Sequence, residues 1–215
     1  MQKQATKNLV LKNIEYSFLD PAATINMLEQ FCNTAVEKNA TVVTVPPLFI
    51  KKAQEYLPVA GIKVSTVIGY PFGWSAIEAK VAETILAMID GADELEVVIN
   101  MLALKNSDWQ YLAKELNTLL TVVRKQQKAI CFIIPANQLT KDELVKCCDL
   151  YGVAGVDGIS LSTGLEALPP ILEQVTKARE LLAEKVLVKV TAVLDEKSSE
   201  GYWNAGADRL SVFVK

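Results

Sequence analysis

The sequence predicts a (β/α)8 barrel, the TIM-barrel fold, formed as a single domain by residues 1–215. Three observations predict it. Short β-rich runs alternate with helical patterns, one helix-to-strand junction occurs three times, and 215 residues that are 51% apolar can form one large core. Eight strand candidates in a chain of this length fit a closed barrel. A doubly wound open sheet is the alternative, although no G-x-G-x-x-G motif follows any strand to support it.

The strand candidates are short runs rich in β-branched and aromatic residues. In chain order they cover residues 13–18, 41–45, 63–68, 94–99, 129–134, 157–162, 186–191 and 209–214. Helical patterns lie between them, with apolar residues three and four positions apart, as at 76–89 and 109–125. Strand and helix therefore alternate as they do in repeated βαβ units around a parallel sheet.

An internal repeat supports the same architecture. The form G-[AV]-D-x-[IL] occurs at residues 91–95, 155–159 and 206–210. Each glycine ends a helical pattern, where a left-handed C-cap is expected, and a strand candidate follows at once. Three copies of one junction indicate a repeated structural unit.

The composition excludes several functions. The chain has 22 basic and 25 acidic residues, and it contains no apolar run of the ~20 residues that a membrane span needs. We therefore expect neither nucleic acid nor a membrane as a partner. Histidine is absent, which removes the commonest zinc ligand, and we expect no metal and no cofactor. The four cysteines form no C-x-x-C pair and the start lacks the apolar core of a signal peptide, so we expect a cytoplasmic protein.

Strand alternation places three polar residues inside the predicted barrel. If Leu95, Val97 and Ile99 face the helices, Glu96 faces inward, and the same argument turns Ser160 and Lys189 inward. We expect these three near the carboxyl ends of their strands, where barrel active sites lie. Because lysine is rarely buried without a partner, Lys189 is either a nucleophile or proton relay, or half of a structural ion pair with Glu96. The residues alone leave both open.

Several segments resemble the deoxyribose-phosphate aldolase family over residues 14–212. The matching segments are TVIGYPFG at 66–73, GADELEVVIN at 91–100, Ser162-Thr163-Gly164, Lys189 and AGADRL at 205–210. The resemblance implies a cytoplasmic (β/α)8 barrel that cleaves 2-deoxyribose 5-phosphate to acetaldehyde and glyceraldehyde 3-phosphate. It further implies that the reaction uses a lysine Schiff base and no metal.

The catalytic residues depart from that family. The resemblance places the Schiff-base position at Ser160, which cannot form an imine, the relay carboxylate at Glu96 and the relay lysine at Lys189. The glycines that follow the relay lysine are replaced, and an arginine position is Asp195. Phe213 in the last strand is expected to fill space that a phosphate needs. We therefore expect no phosphate in that pocket.

Four further residues are candidates for substrate binding. The backbone amides of Ser162, Thr163 and Gly164 are what remains of the family's anion-binding loops, and they are expected to bind an anion weakly. Asn100 ends the fourth strand candidate, where it either contacts a polar ligand or caps the following loop.

Three functional hypotheses remain. The first is an aldolase-family barrel that has lost standard catalysis and serves binding or an oligomeric role. The second is a divergent enzyme that acts on an unphosphorylated carbonyl substrate, with Lys189 and Glu96 as an acid–base pair. The third is a working aldolase with a rearranged site. A small carbonyl or sugar-like ligand is expected, and assembly into a homo-oligomer is left open.

Overall fold

The computed structural model describes residues 14–57, 61–166, 168–192 and 196–213. Its strands form a closed barrel in which each strand is parallel to its two neighbours, and the last strand pairs with the first. The predicted (β/α)8 barrel is therefore confirmed, and the open sheet is wrong. The strands are β1 (Ile14–Ser17), β2 (Val42–Val45), β3 (Lys63–Ile68), β4 (Glu94–Val98), β5 (Ala129–Ile133), β6 (Gly158–Ser160), β7 (Leu187–Ala192) and β8 (Arg209–Phe213).

Helices connect the strands. They are α1 (Ile25–Glu37), α2 (Ile50–Tyr56), α3 (Ile77–Ile89), α4 (Met101–Lys105), α5 (Trp109–Lys125), α6 (Lys141–Val153), α7 (Leu172–Leu181) and α8 (Glu196–Asn204). Short 3-10 turns at Pro47–Phe49 and Ala136–Gln138 follow β2 and β5. Polar side chains cap the starts of α5 and α6. The Asp108 carboxylate accepts the N–H of Tyr111 at 2.9 Å before α5, and Thr140 and Glu143 form a capping box at α6.

The repeated junction has a structural explanation. Its glycines adopt positive φ angles, which residues with a side chain rarely adopt, and so turn the chain from helix to strand: Gly91 at 106°, Gly155 at 77° and Gly206 at 98°. Its aspartates each accept a backbone N–H from the neighbouring strand: Asp93 from Val64 at 3.1 Å, Asp157 from Ile130 at 2.9 Å and Asp208 from Val188 at 2.8 Å. The junction therefore joins each helix end to two adjacent strands.

The strands alternate as the sequence predicts. In β4, Leu95 and Val97 pack in the apolar layer between barrel and helices, together with residues such as Ile159 and Val188. Val98 belongs instead to a separate cluster with Val67 and Ile133. These three residues follow Ser65, Glu96 and Cys131 by two positions in their strands. Because side chains two positions apart in a strand point to the same side, we place this second cluster inside the barrel.

β6 is shorter than the predicted strand at 157–162. It ends at Ser160, because the side chain of Ser162 replaces the regular pairing with β7. The Ser162 hydroxyl donates to the carbonyl of Thr191 at 2.6 Å and accepts the N–H of Thr191 at 2.9 Å. No helix in the described part of the chain is long and apolar enough to cross a membrane.

Candidate active site

A buried ion cluster lies at the centre of the barrel. The Nζ of Lys189, the third residue of β7, lies 2.5 Å from Glu15 Oε1 and 2.7 Å from Glu96 Oε1. The side chain of Lys189 is 2% exposed, and those of Glu15 and Glu96 are 0% and 5% exposed. The predicted contact between Lys189 and Glu96 is confirmed. The expected position near the strand ends is wrong for these two residues, because both lie in mid-strand.

Hydroxyl groups donate to Oε1 of each carboxylate, whereas the buried Oε2 of Glu15 has no hydrogen-bond partner among the described residues. The Thr44 hydroxyl lies 2.6 Å from Glu15 Oε1 and 3.0 Å from Glu96 Oε1, between the two acids. Ser65 donates to Glu96 at 3.0 Å, and Ser211 donates to Glu15 at 2.9 Å. Because buried charges are costly unless they are hydrogen-bonded, these hydroxyls favour the ionised form of each acid, and burial opposes that effect.

The electrostatics of the cluster favour a protonated lysine. Burial alone lowers the pKa of Lys189, but the negative charges of Glu15 and Glu96 outweigh burial, and the pKa is raised. Burial also raises the pKa of Glu15, yet Lys189 and Arg209 together bring it below its usual value. For Glu96, burial and repulsion by Glu15 outweigh Lys189, and its pKa is raised. Glu96 is therefore the acid of the cluster that takes up a proton most readily.

Ser160 lies beside Lys189 without joining the cluster. It is the last residue of β6 and stands in register with Lys189 of β7. Its side chain is fully buried, and its hydroxyl donates to the carbonyl of Ser162 at 3.0 Å. The position thus faces the barrel interior, as predicted, but offers a hydroxyl group in place of an amine.

An apolar layer lies on the carboxyl-terminal side of the cluster. Val67, Val98 and Ile133 form it, each two residues beyond a position in the layer of the ion cluster, and Leu19 and Tyr70 pack against them. Beyond this layer is a cavity of about 280 Å³ among the loops at the strand ends, lined by Pro71, Phe72, Trp74, Met101, Leu102, Lys105, Pro135, Gln138, Thr163, Leu165 and Glu166. We call it the mouth cavity. Neither Lys189 nor Glu96 lines it.

A second cavity reaches the ion cluster from the opposite end. It measures about 200 Å³ and lies among the first residues of the strands, with Lys63, Glu94 and Arg209 on its wall. Lys189 and Glu96 also line it. Arg209 lies 2.6 Å from Glu94, so the charges at this entrance are paired. Sequence reasoning missed this cavity, because barrel active sites lie at the other end of the strands.

The predicted anion-binding residues are already occupied. The N–H groups of Thr163 and Gly164 donate to the carboxylate of Glu166 at 2.8 and 2.9 Å, and the Ser162 hydroxyl bonds to Thr191. Phe213 lies against this loop, since a Cβ added to Gly164 would come within 2.1 Å of its ring. The expectation that Phe213 fills space beside the loop agrees with this contact. The residues that replace the second of the family's glycines and its arginine, Val193 and Asp195, lie outside the described residues.

Asn100 caps a helix. Its side-chain oxygen accepts the N–H of Ala103 at 3.0 Å at the start of α4, and its own N–H donates to Glu115 at 3.2 Å. Of the two roles that the sequence left open, the structure shows capping of the following segment. A ligand contact by Asn100 stays a prediction.

A second buried ion pair was missed by sequence reasoning. Lys80 of α3 lies 2.6 Å from Glu115 of α5, and both side chains are 0% exposed. Lys80 also donates to the carbonyl of Val98 at 2.6 Å. Burial lowers the pKa of Lys80 and raises that of Glu115, although each partner opposes the change. The signal in the sequence was a lysine and a glutamate at apolar-face positions of two amphipathic helices.

Curated proteins and several solved structures that resemble this chain are described as aldolases. No protein-family model matches the chain. The deoxyribose-phosphate aldolase of Clostridioides difficile is 32% identical over 202 residues, which cover 94% of this chain and 91% of that protein. A solved structure described as QR15, an aldolase, has a TM-score of 0.88 at 28% identity and covers 94% of this chain and 90% of that one. The tetrameric deoxyribose phosphate aldolase from Aeropyrum pernix has a TM-score of 0.86, covering 96% and 87%, and at 22% identity it shows the fold alone.

Proposed function

This chain belongs to the deoxyribose-phosphate aldolase family, and on that premise we propose that it is a divergent member in which standard cleavage of 2-deoxyribose 5-phosphate is weak or absent. One observation carries the proposal. Ser160 stands beside Lys189 where the family resemblance places the Schiff-base lysine, and its hydroxyl cannot form an imine. Without an imine, the carbon–carbon bond has no electron sink in a metal-free mechanism.

Lys189 is a poor replacement for the missing amine. An amine attacks a carbonyl in its neutral form, and such lysines are activated when burial or a neighbouring cation lowers the pKa. Here two carboxylates lie within 2.7 Å of Nζ and raise the pKa instead. Lys189 also lines the cavity at the amino-terminal ends of the strands and does not line the mouth cavity.

The environment of Glu96 favours a second function. Its raised pKa allows Glu96 to hold a proton, and Glu96 and Lys189 both line the second cavity, which lies among the first residues of the strands. A carbonyl-acting lyase that uses Lys189 and Glu96 as an acid–base pair on an unphosphorylated substrate is therefore the alternative. A non-catalytic barrel that binds a small ligand or acts in an assembly is the third candidate. A homo-oligomer would appear in light scattering as a multiple of the 23.6 kDa chain mass.

Borohydride trapping tests the proposal. The protein is incubated with acetaldehyde and sodium borohydride, and peptide mass mapping then locates any lysine that carries an ethyl group. We expect surface lysines to be labelled to the same extent in the parent and in a Lys189→Met control, with no label at residue 189 of the parent. Labelling of Lys189 would contradict the proposal and favour the divergent lyase. Efficient cleavage of 2-deoxyribose 5-phosphate by the parent would instead favour a working aldolase.

A further inference from the structure

We propose that Glu166 is the specificity-determining residue of the mouth cavity: it fills an anion-binding loop with the chain's own carboxylate and so restricts the cavity to uncharged ligands. The inference deepens the proposed function, on which it rests, by naming the class of substrate or ligand. It concerns binding at the mouth cavity and does not involve the chemistry of Lys189.

The loop has the geometry of an anion site. The N–H of Thr163 donates to Glu166 Oε1 at 2.8 Å, and the N–H of Gly164 donates to Glu166 Oε2 at 2.9 Å. One carboxylate therefore receives two adjacent backbone amides, one on each oxygen. Gly164 has a φ of 85°, in the left-handed region, and backbone N–H groups next to each other in such a turn form a concavity that binds anions.

Contacts hold the loop in this shape. A Cβ on Gly164 would lie 2.1 Å from the Phe213 ring and 2.9 Å from the Thr191 side chain, so a residue with a side chain does not fit there. The Thr163 hydroxyl also accepts the N–H of Leu165 at 3.2 Å. Because the backbone is fixed on both sides of the amides, we expect the amide pair to persist when its carboxylate partner is removed.

The amide pair lies at the wall of the mouth cavity. Thr163, Leu165 and Glu166 line that cavity, so an anion in the cavity would lie beside the Glu166 carboxylate and the loop that carries the two amides. Each amide has a single hydrogen to donate, and both hydrogens are used by Glu166. An external anion would have to displace the Glu166 carboxylate, which is held at high effective concentration because it belongs to the same chain. The negative charge of Glu166 would also repel the approaching anion.

The remaining wall favours an uncharged ligand. Phe72 and Trp74 stack with ring centroids 4.5 Å apart and are 56% and 59% exposed, which leaves aromatic surface available to a bound molecule. Lys105 also lines the cavity, but its Nζ donates to the carbonyl of Gln138 and to Glu143. The carboxylate of Glu166 keeps free lone pairs that can accept hydroxyl donors. A neutral molecule with hydroxyl groups and an apolar face matches this chemistry.

Phosphate titration of matched variants tests the inference. Inorganic phosphate is added to the 15N-labelled parent, Glu166→Ala, Glu166→Gln and Glu55→Ala, and the amide resonances of Thr163 and Gly164 are followed. Glu55 is an exposed carboxylate that pairs with Lys52 on α2, so its removal controls for the change in net charge. We expect phosphate to bind at these amides at least about tenfold more tightly in Glu166→Ala than in the parent or Glu55→Ala. The phosphate affinity of Glu166→Gln should lie between those of the parent and Glu166→Ala, because the glutamine side chain has one carbonyl oxygen to accept an amide where glutamate has two oxygens.

Two results overturn the inference: equal phosphate binding by parent and Glu166→Ala, or a gain in Glu55→Ala as large as in Glu166→Ala. If Glu166→Ala alters the loop, amide hydrogen exchange in the parent provides the test instead. The inference requires the Thr163 and Gly164 amides of the parent to exchange slowly, because Glu166 accepts both of them. Rapid exchange of these two amides would also overturn the inference. The outcome is separate from imine trapping. Labelling of Lys189 with a gain in Glu166→Ala would refute the proposed function alone, whereas no labelling and no gain would refute the role of Glu166 alone.

Discussion

The cluster of Lys189, Glu15 and Glu96 predicts an order of destabilisation when its charges are removed one at a time. It holds two carboxylates for one lysine, so the substitutions Lys189→Met, Glu15→Gln and Glu96→Gln leave different charges unpaired. Sequence alternation indicates a simple pair in which loss of Glu96 leaves a bare lysine. The structure changes that expectation, because Glu15 also lies 2.5 Å from Nζ and can keep the lysine paired when Glu96 is replaced.

The magnitudes follow from what each substitution leaves behind. Lys189→Met leaves two buried carboxylates facing each other, and breaking a buried pair in this way costs about 3–5 kcal/mol. Glu15→Gln removes the acid with the lowered pKa, which also lies 3.5 Å from Arg209, and a charged hydrogen bond contributes about 1.5–3 kcal/mol. Glu96→Gln keeps an oxygen that accepts from its hydroxyl neighbours and removes a charge that the site disfavours, so we expect a loss of about 1 kcal/mol or less.

The pH dependence of Glu96→Gln gives an independent check. A carboxyl group whose pKa is raised on folding binds more protons in the folded state, so the parent loses stability as pH rises from the unfolded pKa through the folded pKa. Glutamine has no such titration. The stability difference between parent and Glu96→Gln should therefore be larger near pH 5 than near pH 8. For Glu15 the sign is opposite, since its lowered pKa contributes stability that is lost as pH falls.

Urea unfolding measures these differences. Tryptophan fluorescence and circular dichroism should give coincident transitions, with the midpoint changed and the slope against urea concentration unchanged. Glu55→Gln, in an exposed pair on α2, serves as the control and should match the parent. If Glu96→Gln destabilises the protein more than Lys189→Met does, then Glu96 rather than Glu15 is the principal charged partner, and the reasoning fails.

Three other expectations follow from the same contacts. Ser160→Lys should gain borohydride trapping of acetaldehyde at residue 160, because two neighbouring cations lower each other's pKa, while cleavage of the phosphorylated sugar stays poor; absence of trapping in a folded variant would contradict this. Raising the pH to about 9 should leave Lys189 of the parent unlabelled, because its pKa lies above the ordinary ~10.4 and the stability from its ion pairs is lost only as pH rises through that folded pKa. Lys80→Met should cost about 3–5 kcal/mol in urea unfolding, and Lys80→Met with Glu115→Leu should cost less than the sum of the two single changes.

Much of the fold could be predicted from local patterns. The strand candidates agree with the described strands because inward and outward positions alternate along each one, and the three G-[AV]-D junctions mark where helices end. The role of their aspartates was not predicted. The bond from Asp93 to the N–H of Val64 joins a helix end to a neighbouring strand, and nothing in the local sequence specifies that pairing.

Less of the candidate site could be predicted. Alternation places Glu96 and Lys189 inside the barrel, and they are in contact. The contact between Glu15 and Lys189 joins β1 to β7, which are not adjacent, so it depends on how the barrel closes and on the lengths of the side chains across its interior. Glu166 was missed for a different reason. Its carboxylate turns back on amides two and three residues earlier, and a sequence pattern does not distinguish that conformation from a solvated loop.

The Lys189 cluster and the Glu166 loop share one property: in both, a carboxylate of the chain is bonded to a group that could otherwise bind a ligand. In the imine mechanism that the family resemblance implies, an anionic carbonyl substrate needs a neutral amine for its carbonyl carbon and hydrogen-bond donors for its negative group. Here the Lys189 amine is held by Glu15 and Glu96, and the amides of Thr163 and Gly164 are held by Glu166. In each place a carboxylate of the chain is bonded to a group that, under the proposed function, an anionic substrate would have to reach. A lysine at residue 160 would supply a second amine but would leave the amides of Thr163 and Gly164 bonded to Glu166. We therefore expect Ser160→Lys to change imine trapping without changing phosphate binding, and Glu166→Ala to do the reverse.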